Sequence, residues 1–467
     1  MTLVMKFGGT SVGSVEAIQR TADLIQNTLD ERGEIVVVVS AMGSRPTKVT
    51  DLLLQGAHSA AGGDPDTYRR MAASLHEIHV EAANGLLAPP AAQRLRSEID
   101  GFVERFVELC RAVHVLGELT PRALDAISAM GEQMSVRLLD AYLNEEGIEA
   151  QAIDATNLII TDNHFQSATP LLAETEEHVN RLLQPLLEDG TVPVVTGFIG
   201  ATRDGVTTTL GRGGSDYSAA LLGQALQADE VWIWTDVDGV MTADPRLVAA
   251  ARTVPALTYR EVAELAYYGA RVLHPKTIRP CVESAIPLRI KNTFNPKHPG
   301  TVIVPDNGEG DGGMKAVTAI ESLSLLTVEG KGMMGVPGIA ARTFSAVARE
   351  GVNVLLISQA SSEQSICFSV PAGDTDAVTS GLEAEFAEEL RRRDIDRVWA
   401  LQPVSIVTVV GAGMRGTPGI AGRIFSALGR EGINIIAIAQ GSSECSISLV
   451  VDAADTAGAV QHIHTLL

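Results

Sequence analysis

Two stretches, LVMKFGG at Leu3–Gly9 and IVVVV at Ile35–Val39, decide the fold of this 467-residue chain. Each contains a short, continuous apolar run that ends in a glycine-bearing loop. Such runs are typical of strands in parallel sheets whose two faces are covered by helices. The pattern repeats at Val192–Val195 and Val231–Trp234. The sequence therefore predicts an α/β sandwich whose ligands bind at the carboxyl ends of the strands.

Composition excludes several classes of protein. The length predicts two to four domains. The net charge of -21 disfavours nucleic acid and anionic membranes as partners. Four separated cysteines indicate neither a zinc site nor a disulfide framework, and they fit a reducing compartment. With no signal peptide and no membrane-length apolar run in the sequence, we expect a cytoplasmic protein. His76 and His79 are predicted to lie on a solvated helix face, and no metal site is expected.

The chain changes character twice along its length. Residues 62–119 are helical in pattern and are interpreted as an insertion or lid. A Gly/Asp-rich linker at 305–313 is predicted to end the first domain. Beyond it, Gly335–Val370 aligns without gaps on Gly416–Val451 at an offset of 81, with 21 of 36 positions identical. This duplication predicts two similar units, each with the order strand, loop, helix, strand, strand.

A glycine pair follows the first predicted strand in KFGGTS, Lys6–Ser11. Glycines let the backbone approach a phosphate closely, and successive N–H groups ahead of a helix favour an anion. Lys6 adds a charge suited to a transferring phosphoryl group. A tight turn with an incidental lysine is the alternative. The motif lacks the G-x-x-x-x-G-K-S/T pattern, which disfavours a P-loop nucleotidase.

An arginine and an aspartate accompany three glycines in LGRGGSDYS, Leu210–Ser218. The planar fork of Arg212 suits a carboxylate, and a helix is predicted over Ser218–Ala228. Asp216 can orient a lysine or receive an ammonium. A capped helix start explains Asp216 but not Arg212, because a cation at a helix N-terminus is unfavourable unless an anion binds there.

A third motif, TDVDGVMTADPR at Thr235–Arg246, leaves a predicted strand. Its polar groups suit the ribose and phosphates of a nucleotide. Two aspartates beside a glycine suit a plain turn equally well.

Together these motifs resemble the aspartate kinase family. KFGGTSV, TTLGRGGSDYSAALL, TDVDGV-x-x-ADPR and a GARVLHP segment occur in the family's order and approximate spacing, over essentially the whole chain. The resemblance implies the amino acid kinase fold, a three-layer α/β sandwich with a mainly parallel sheet, followed by two ferredoxin-like ACT domains. Expected bounds are 1–305 for the kinase domain, 306–400 for the linker and first ACT domain, and 401–467 for the second, with an added strand from 314–320.

The resemblance also implies the reaction. ATP would phosphorylate the side-chain carboxylate of L-aspartate, giving 4-phospho-L-aspartate and ADP, the first step towards lysine, threonine and methionine. Mg²⁺ would be carried by the ATP phosphates. Because the acceptor carboxylate is already ionised, no general base is expected, and catalysis would rest on positioning and electrostatic stabilisation.

Site residues follow from the same resemblance. The expected catalytic residues are Lys6, which neutralises the phosphoryl charge, and Asp216, which holds Lys6. The expected aspartate contacts are Thr10, Ser11, Ser40, Thr47, Glu132, Arg212 and Ser215. The expected ATP contacts are Lys6, Gly8, Gly9, Thr235, Asp236, Met241, Asp244, Arg246 and Arg271. Glu132 would bind the substrate ammonium, although a helix-start glutamate favoured by the dipole is the plain alternative.

Two of these residues depart from the family pattern. Arg271 stands where relatives usually carry a phosphate-contacting lysine, and Met241 stands where many have an aromatic near the nucleotide base. Arg271 keeps the positive charge of the lysine but has a different geometry. With Met241 in place of an aromatic, the sequence leaves open how the adenine ring would pack.

The repeated half is expected to bind an amino-acid effector. Gln359 and Gln440 occupy equivalent positions in the two repeats, and each is followed by the same Ser-Ser-Glu. This pair resembles the threonine-responsive bifunctional aspartate kinase–homoserine dehydrogenases, which favours threonine over lysine as the feedback inhibitor. A role in dimerisation alone is the alternative, and ACT pairing implies at least a homodimer.

Two rival functions stay open from the sequence. Another enzyme of the same fold would act on glutamate, acetylglutamate or UMP. A non-catalytic amino-acid sensor would keep the kinase scaffold, but the intact charged residues of the motifs argue against decay.

Overall fold

The computed structural model describes residues 2–43, 48–269, 273–305, 313–359, 364–441 and 444–467. These residues fall into two compact units. The first comprises 2–240, 255–259 and 273–305, and the second comprises 241–254, 260–269 and 313–467, each taken over the described residues. Most of the predicted linker, together with Thr47 and Arg271, lies outside the described residues.

The secondary structure alternates strands and helices. The strands are Thr2–Phe7 (β1), Glu34–Val39 (β2), Ala150–Ile153 (β3), Ile160–Thr161 (β4), Val192–Thr196 (β5), Ile199–Thr202 (β6), Thr207–Thr209 (β7), Glu230–Thr235 (β8), Ala256–Thr258 (β9), Leu288–Asn292 (β10), Thr301–Val304 (β11), Ala316–Glu329 (β12), Leu356–Gln359 (β13), Ser365–Pro371 (β14), Arg397–Val410 (β15), Ala437–Ala439 (β16) and Ser446–Asp452 (β17). The helices are Val15–Arg32 (α1), Val49–Ala61 (α2), Pro65–Leu86 (α3), Pro89–Leu116 (α4), Pro121–Ser128 (α5), Met130–Glu145 (α6), Leu172–Glu188 (α7), Gly214–Ala225 (α8), Tyr259–Tyr267 (α9), Pro275–Glu283 (α10), Ile339–Arg349 (α11), Thr375–Glu385 (α12), Ala387–Arg392 (α13), Ile420–Arg430 (α14) and Thr456–His464 (α15).

The main sheet of the first unit is built on the predicted apolar strands. Among the described residues it has eight strands in the order β3-β5-β2-β1-β8-β10-β11-β9. All neighbours are parallel except β10 and β11. A smaller sheet has the order β4-β6-β7. The predicted amino acid kinase fold with a mainly parallel sheet is confirmed.

Side chains of the central strands alternate between the two faces of this sheet. Leu3, Met5 and Phe7 of β1 lie in one core cluster with residues of α1 and α6, as the two-residue period of a strand requires. Helix α1 begins where the Ser14 hydroxyl accepts a hydrogen bond from the Ala17 N–H at 3.2 Å. The core therefore fixes the carboxyl end of β1, where the KFGG motif lies.

The helical segment predicted at 62–119 contains α3 and α4, whose apolar residues join the same core cluster. The prediction that His79 is solvated is wrong. Its ring is fully buried, and its Nδ1 lies 2.7 Å from the Leu75 carbonyl oxygen. Burial lowers the pKa of His79 to about 4. Its neighbour His76 lies near the surface, with Nε2 2.9 Å from Asp100.

The second unit contains the duplicated half. Among the described residues its six strands run β13-β14-β12-β15-β17-β16. Ala316–Ile320 of β12 pairs with Val410–Ile406 of β15, and Leu323–Glu329 pairs with both β14 and the earlier half of β15. The two repeats thus share one antiparallel sheet, with α11 and α14 in equivalent positions. The predicted ACT architecture is confirmed.

Two shorter segments also belong to the second unit, namely 241–254 and the part of α9 from residue 260 onward. Glu261 of α9 is fully buried. Its carboxylate pairs with Lys315 Nζ at 3.0 Å and accepts a hydrogen bond from the Ala412 N–H at 2.6 Å. Buried charges of this kind are retained when they are paired and hydrogen-bonded.

Membrane-spanning helices and metal-binding clusters are both absent from the described residues. No helix there has both the length and the apolarity needed to cross a membrane. No cluster of His, Cys, Asp or Glu there is arranged to hold a metal ion.

Candidate active site

A cavity of about 640 Å³ opens in the first unit, beside the residues that follow β1, β2 and β7. It brings together most of the residues predicted from the motifs of that unit. Those that line it are Lys6, Gly8, Gly9, Thr10, Ser40, Glu132, Arg212, Ser215, Asp216 and Thr235. These residues come from stretches more than 200 positions apart, and the parallel sheet places them together.

An ion pair joins the first two motifs. Lys6 Nζ lies 2.6 Å from Asp216 Oδ1, and both side chains are largely buried. Asp216 lies in the first turn of α8, which begins at Gly214 rather than at the predicted Ser218. The helix starts earlier because Gly213 adopts a left-handed conformation, with φ of 71°, that ends the preceding loop. The lysine is therefore held at the end of β1 by the helix that follows the glycine motif.

The glycine pair allows two loops to touch. A Cβ atom at Gly9 would lie 2.8 Å from the Ala41 carbonyl oxygen, closer than real Cβ atoms come. The Gly9 carbonyl accepts a hydrogen bond from the Gly43 N–H at 2.9 Å, while the Gly8 N–H donates to the Trp234 carbonyl at 3.1 Å. A glycine is needed at position 9 because no side chain fits between these loops.

Glu132 is a buried glutamate in the wall of the cavity. It lies in the first turn of α6 and is 4% exposed. Its Oε1 accepts a hydrogen bond from the Ala41 N–H at 3.1 Å, whereas its Oε2 has no hydrogen-bond partner among the described residues. Burial raises the pKa of Glu132 to about 8, opposed by that hydrogen bond and by the charge of Lys6. A cationic donor entering the cavity would satisfy this oxygen.

The cavity lining contains as many basic as acidic residues, although the chain as a whole is acidic. Its charged lining residues within the described part of the chain are three cations and three carboxylates, namely Lys6, Lys48, Arg212, Asp125, Glu132 and Asp216. Arg212 and Lys48 are exposed and form no ion pair with the carboxylates of the described residues. These two cations are placed to receive anionic groups.

Some predicted contacts do not line this cavity. Ser11 is fully buried, and its Oγ lies 2.7 Å from Thr293 Oγ1. Asp236 is exposed and accepts a hydrogen bond from the Thr235 hydroxyl at 3.3 Å. Met241, Asp244 and Arg246 belong to the second unit. There the Arg246 Nε donates to both carboxylate oxygens of Asp244 at 3.0 Å.

Sequence reasoning missed part of the cavity wall. Asp125, Gln166, Phe198 and Lys48 line the cavity but belong to none of the motifs. Asp125 is 1% exposed and bonds two distant segments. No glycine pattern or charge run marks these positions, so only three-dimensional contacts reveal them.

A smaller cavity of about 370 Å³ lies in the second unit. It is formed by the glycine-rich loop before α14 and by Gln440, which is exposed. The Gly416 N–H in this loop donates to the Glu444 carboxylate at 2.8 Å. Gln359, the equivalent of Gln440, is exposed at the end of β13.

Comparison with protein families agrees with this division. Residues 1–292 match the amino acid kinase family, and residues 326–386 and 407–467 each match the ACT domain. Among solved structures, E. coli aspartokinase III, crystallised with aspartate and ADP, shares 32% identity with a TM-score of 0.81, and each chain is covered over its full length. The aspartate kinase of Clostridium acetobutylicum shares 26% identity with a TM-score of 0.81, over 99% of each chain.

Curated relatives fall into two groups. A bifunctional aspartokinase/homoserine dehydrogenase of Zea mays is 37% identical over 100% of this chain and 50% of the relative, so the chain spans about half the length of these bifunctional proteins. Aspartokinase 1 of Arabidopsis thaliana is 35% identical over 99% of this chain and 80% of the relative. The chain therefore belongs to the aspartokinases of the amino acid kinase family, with ACT domains in its second half.

Proposed function

We propose that this protein is an aspartate kinase, which transfers the γ-phosphoryl group of ATP to the side-chain carboxylate of L-aspartate. The observation that carries the proposal is the cavity of the first unit, which contains the Lys6–Asp216 ion pair. Beside this pair lie Glu132 Oε2 and Arg212, which have no hydrogen-bond partner and no ion-pair partner, respectively, among the described residues. A dicarboxylic amino acid has the matching groups, one ammonium and two carboxylates.

Each charged group of the cavity has a distinct role in this reaction. Glu132 Oε2 accepts the substrate ammonium, and the Arg212 fork binds a substrate carboxylate. An oxygen of the other carboxylate attacks the γ-phosphorus, an O–P bond forms, and the bond to the ADP oxygen breaks. Lys6 stabilises the charge that spreads over the phosphoryl oxygens, and Asp216 holds Lys6 in place. No proton is transferred, because the attacking carboxylate is already ionised.

The glycine loop and the strand end suit the nucleotide phosphates. Gly8 and Gly9 leave room for phosphate oxygens beside Lys6, and Thr235 lies on the same cavity wall. The remaining predicted ATP contacts, Asp236, Met241, Asp244, Arg246 and Arg271, stay part of the proposal. Magnesium would be carried by the phosphates and would supply charge neutralisation.

The test is ADP formation in the presence of MgATP and either L-aspartate or L-glutamate. We expect turnover with L-aspartate and at least tenfold lower kcat/KM with L-glutamate. Arg212→Ala should lower kcat/KM for aspartate at least 100-fold, since it removes a charged, bidentate contact of about 3 kcal/mol. The matched control is Arg203→Ala, because Arg203 is exposed and pairs with Glu174 away from the cavity.

Folded wild-type protein that forms no ADP with either amino acid would contradict the proposal. So would equal losses in the Arg212 and Arg203 variants. Retained binding of an amino-acid effector without any turnover would instead favour the sensor function.

We also propose that threonine, rather than lysine, is the feedback inhibitor. The smaller cavity is lined by Gln440, and its acidic lining residue among those described, Glu444, is already bonded to the loop N–H of Gly416. A neutral hydroxyl side chain suits the glutamine amide, whereas the ammonium of lysine would need an available carboxylate. E. coli aspartokinase III has been crystallised with lysine and aspartate, so that relative binds the competing effector.

Inhibition of ADP formation by each amino acid tests this choice. We expect threonine to inhibit at a concentration at least tenfold lower than lysine, and Gln440→Ala to weaken inhibition at least fivefold while leaving uninhibited turnover unchanged. Activity that saturating threonine leaves unchanged would refute the proposal.

Three further expectations remain proposals. The four cysteines form no disulfide among the described residues, which supports a reducing compartment such as the cytoplasm. A homodimer or larger assembly through the ACT domains is expected from the family resemblance, and analytical ultracentrifugation would measure it. The domain bounds of 1–305, 306–400 and 401–467 are testable by limited proteolysis.

A further inference from the structure

We propose that Asp125 is a positioning residue that holds the Arg212 loop in place for the amino-acid substrate. The inference rests on the proposed function for its kinetic readout. Asp125 lies in α5, has no assigned role in the reaction and lines the cavity.

The Asp125 carboxylate bonds two segments that are far apart in the sequence. Oδ1 accepts hydrogen bonds from the Gln166 N–H at 3.1 Å and from the Thr209 hydroxyl at 2.8 Å. Oδ2 accepts from the Gln166 N–H and the Thr209 N–H, both at 2.9 Å. Each oxygen therefore accepts two hydrogen bonds. These bonds join α5 to two backbone segments that lie 41 and 84 residues further along the chain.

The two segments that Asp125 bonds also contact each other just before Arg212. Thr209 ends β7, and its carbonyl accepts a hydrogen bond from the Ala168 N–H at 2.9 Å. Gly211 has φ of 78°, and a Cβ atom there would lie 3.0 Å from the Gln166 carbonyl oxygen. The chain between Thr209 and Arg212 therefore packs closely against the backbone of Gln166.

Gln166 is held in a conformation that needs support. Its φ of 70° is in the left-handed region, which is uncommon for a residue other than glycine. Such conformations persist only where surrounding contacts fix them. The two hydrogen bonds from the Gln166 N–H to Asp125 are contacts of this kind, so loss of the carboxylate would free both Gln166 and the start of the Arg212 loop.

The chemistry of Asp125 favours a carboxylate over an amide at this position. The residue is 1% exposed and has no ion-pair partner among the described residues. Burial raises the pKa of Asp125, and the hydrogen bonds from Gln166 and Thr209 oppose this rise. All its neighbours in these bonds are donors. An asparagine has one acceptor oxygen, and either orientation sets its NH₂ group against a donor. With the oxygen at the Oδ2 position, the NH₂ group faces the Gln166 N–H at 3.1 Å, although the Thr209 hydroxyl can turn to accept from it. With the oxygen at the Oδ1 position, the NH₂ group faces the N–H groups of Gln166 and Thr209 at 2.9 Å, so the hold on Gln166 weakens in both cases.

The test compares Asp125→Asn with Asp64→Asn. Asp64 accepts from two backbone N–H groups, those of Asp66 and Thr67, and from the Thr67 hydroxyl, the same donor types in an exposed helix cap outside the cavity. We expect Asp125→Asn to raise KM for aspartate at least tenfold, with KM for ATP changed less than twofold. Asp64→Asn should leave both KM values within twofold of wild type.

A second readout does not depend on activity. Hydrogen–deuterium exchange, measured by mass spectrometry, should become at least threefold faster in peptides covering 163–169 and 207–213 in Asp125→Asn, and stay unchanged there in Asp64→Asn. If Asp125→Asn does not fold, Thr209→Val, which removes only the hydroxyl donor, should raise KM for aspartate about threefold and speed exchange in the same peptides.

The outcomes separate the two proposals. Unchanged exchange in both peptides would overturn the role of Asp125, whether or not the protein is a kinase. Faster exchange with an unchanged aspartate KM would also overturn this role, because Asp125 would then stabilise the loop without affecting substrate binding. Wild-type protein without turnover would refute the proposed function, while faster exchange would still support the tie between Asp125 and the loop.

Discussion

Glu132 should make the affinity for aspartate depend on pH. In the proposed reaction, Glu132 Oε2, which has no hydrogen-bond partner among the described residues, would receive the substrate ammonium only when the carboxyl is ionised. With a pKa of about 8, the ionised fraction in the empty site is about three quarters at pH 8.5 and about 3% at pH 6.5. The ammonium of free aspartate and both of its carboxylates stay charged over this range. KM for aspartate should therefore fall about 25-fold as the pH rises from 6.5 to 8.5.

The variant Glu132→Gln removes both the charge and the titration. The amide oxygen can still accept the hydrogen bond from the Ala41 N–H, so the local structure is retained. Loss of a charged hydrogen bond to the ammonium should cost about 2–3 kcal/mol, which raises KM for aspartate roughly 30- to 150-fold at pH 8.5. Its KM should not depend on pH between 6.5 and 8.5.

Steady-state ADP formation across this pH range, at saturating MgATP, measures both effects. The control is Glu145→Gln on the same helix, because Glu145 also accepts a backbone hydrogen bond, from Ala88 at 3.2 Å, but lies outside the cavity. It should keep the wild-type pH profile. A wild-type KM that does not change with pH, or a Glu132→Gln profile that matches wild type, would refute the role given to this carboxyl.

Further variants test other parts of the structure. Gly9→Ala should lower kcat at least tenfold, because its Cβ would lie 2.8 Å from the Ala41 carbonyl oxygen. Gly101→Ala should leave kcat unchanged, because a Cβ there meets nothing within 4 Å. Steady-state kinetics measures both effects, and circular dichroism checks that each variant is folded. His79 should make the protein sensitive to acid. Its imidazole takes up a proton below pH 6.5 in the unfolded state but only near pH 4 in the folded state. Acidification through that window therefore lowers the free energy of unfolding by roughly 3 kcal/mol. Urea unfolding from pH 7.5 to 4.5 should show this loss, and His79→Leu should reduce it. Glu261→Gln should lower the free energy of unfolding by about 3 kcal/mol, because it breaks a buried ion pair of the second unit; an unchanged urea midpoint would contradict this.

The sequence predicts the sheet well because its strands are marked by local composition. The run Ile35–Val39 became β2, and Val231–Trp234 became the centre of β8. Continuous β-branched runs have few other uses in a helix-covered sheet, so neighbouring residues are enough to identify them. The duplicated half is visible for a similar reason, since its two copies can be aligned directly.

Features that depend on long-range contacts could not be predicted in this way. The sequence pattern predicts the start of α8 at Ser218, four residues later than observed, because the left-handed conformation of Gly213 is set by its surroundings. The same kind of pattern predicts a surface position for His79, because it does not reveal which helix covers a given face. Asp125 went unnoticed because its partners lie 41 and 84 residues away.

The candidate active site shows the same division. Lys6, Arg212 and Asp216 lie in glycine-rich motifs whose residue types already suggest phosphate and carboxylate binding. The motif around Glu132 was informative mainly through the family resemblance. Its Oε2, which has no hydrogen-bond partner among the described residues and suits an ammonium in the proposal, becomes evident only once the fold buries the side chain against the Ala41 loop.

Trapping the product with hydroxylamine tests the central claim most directly. The wild-type protein is incubated with MgATP, L-aspartate and hydroxylamine, and the hydroxamate is identified by mass spectrometry. An acyl phosphate on the side chain predicts the β-hydroxamate of aspartate, formed in a one-to-one ratio with ADP and lost in Arg212→Ala. ADP release without any hydroxamate, or the α-hydroxamate instead, would contradict the account.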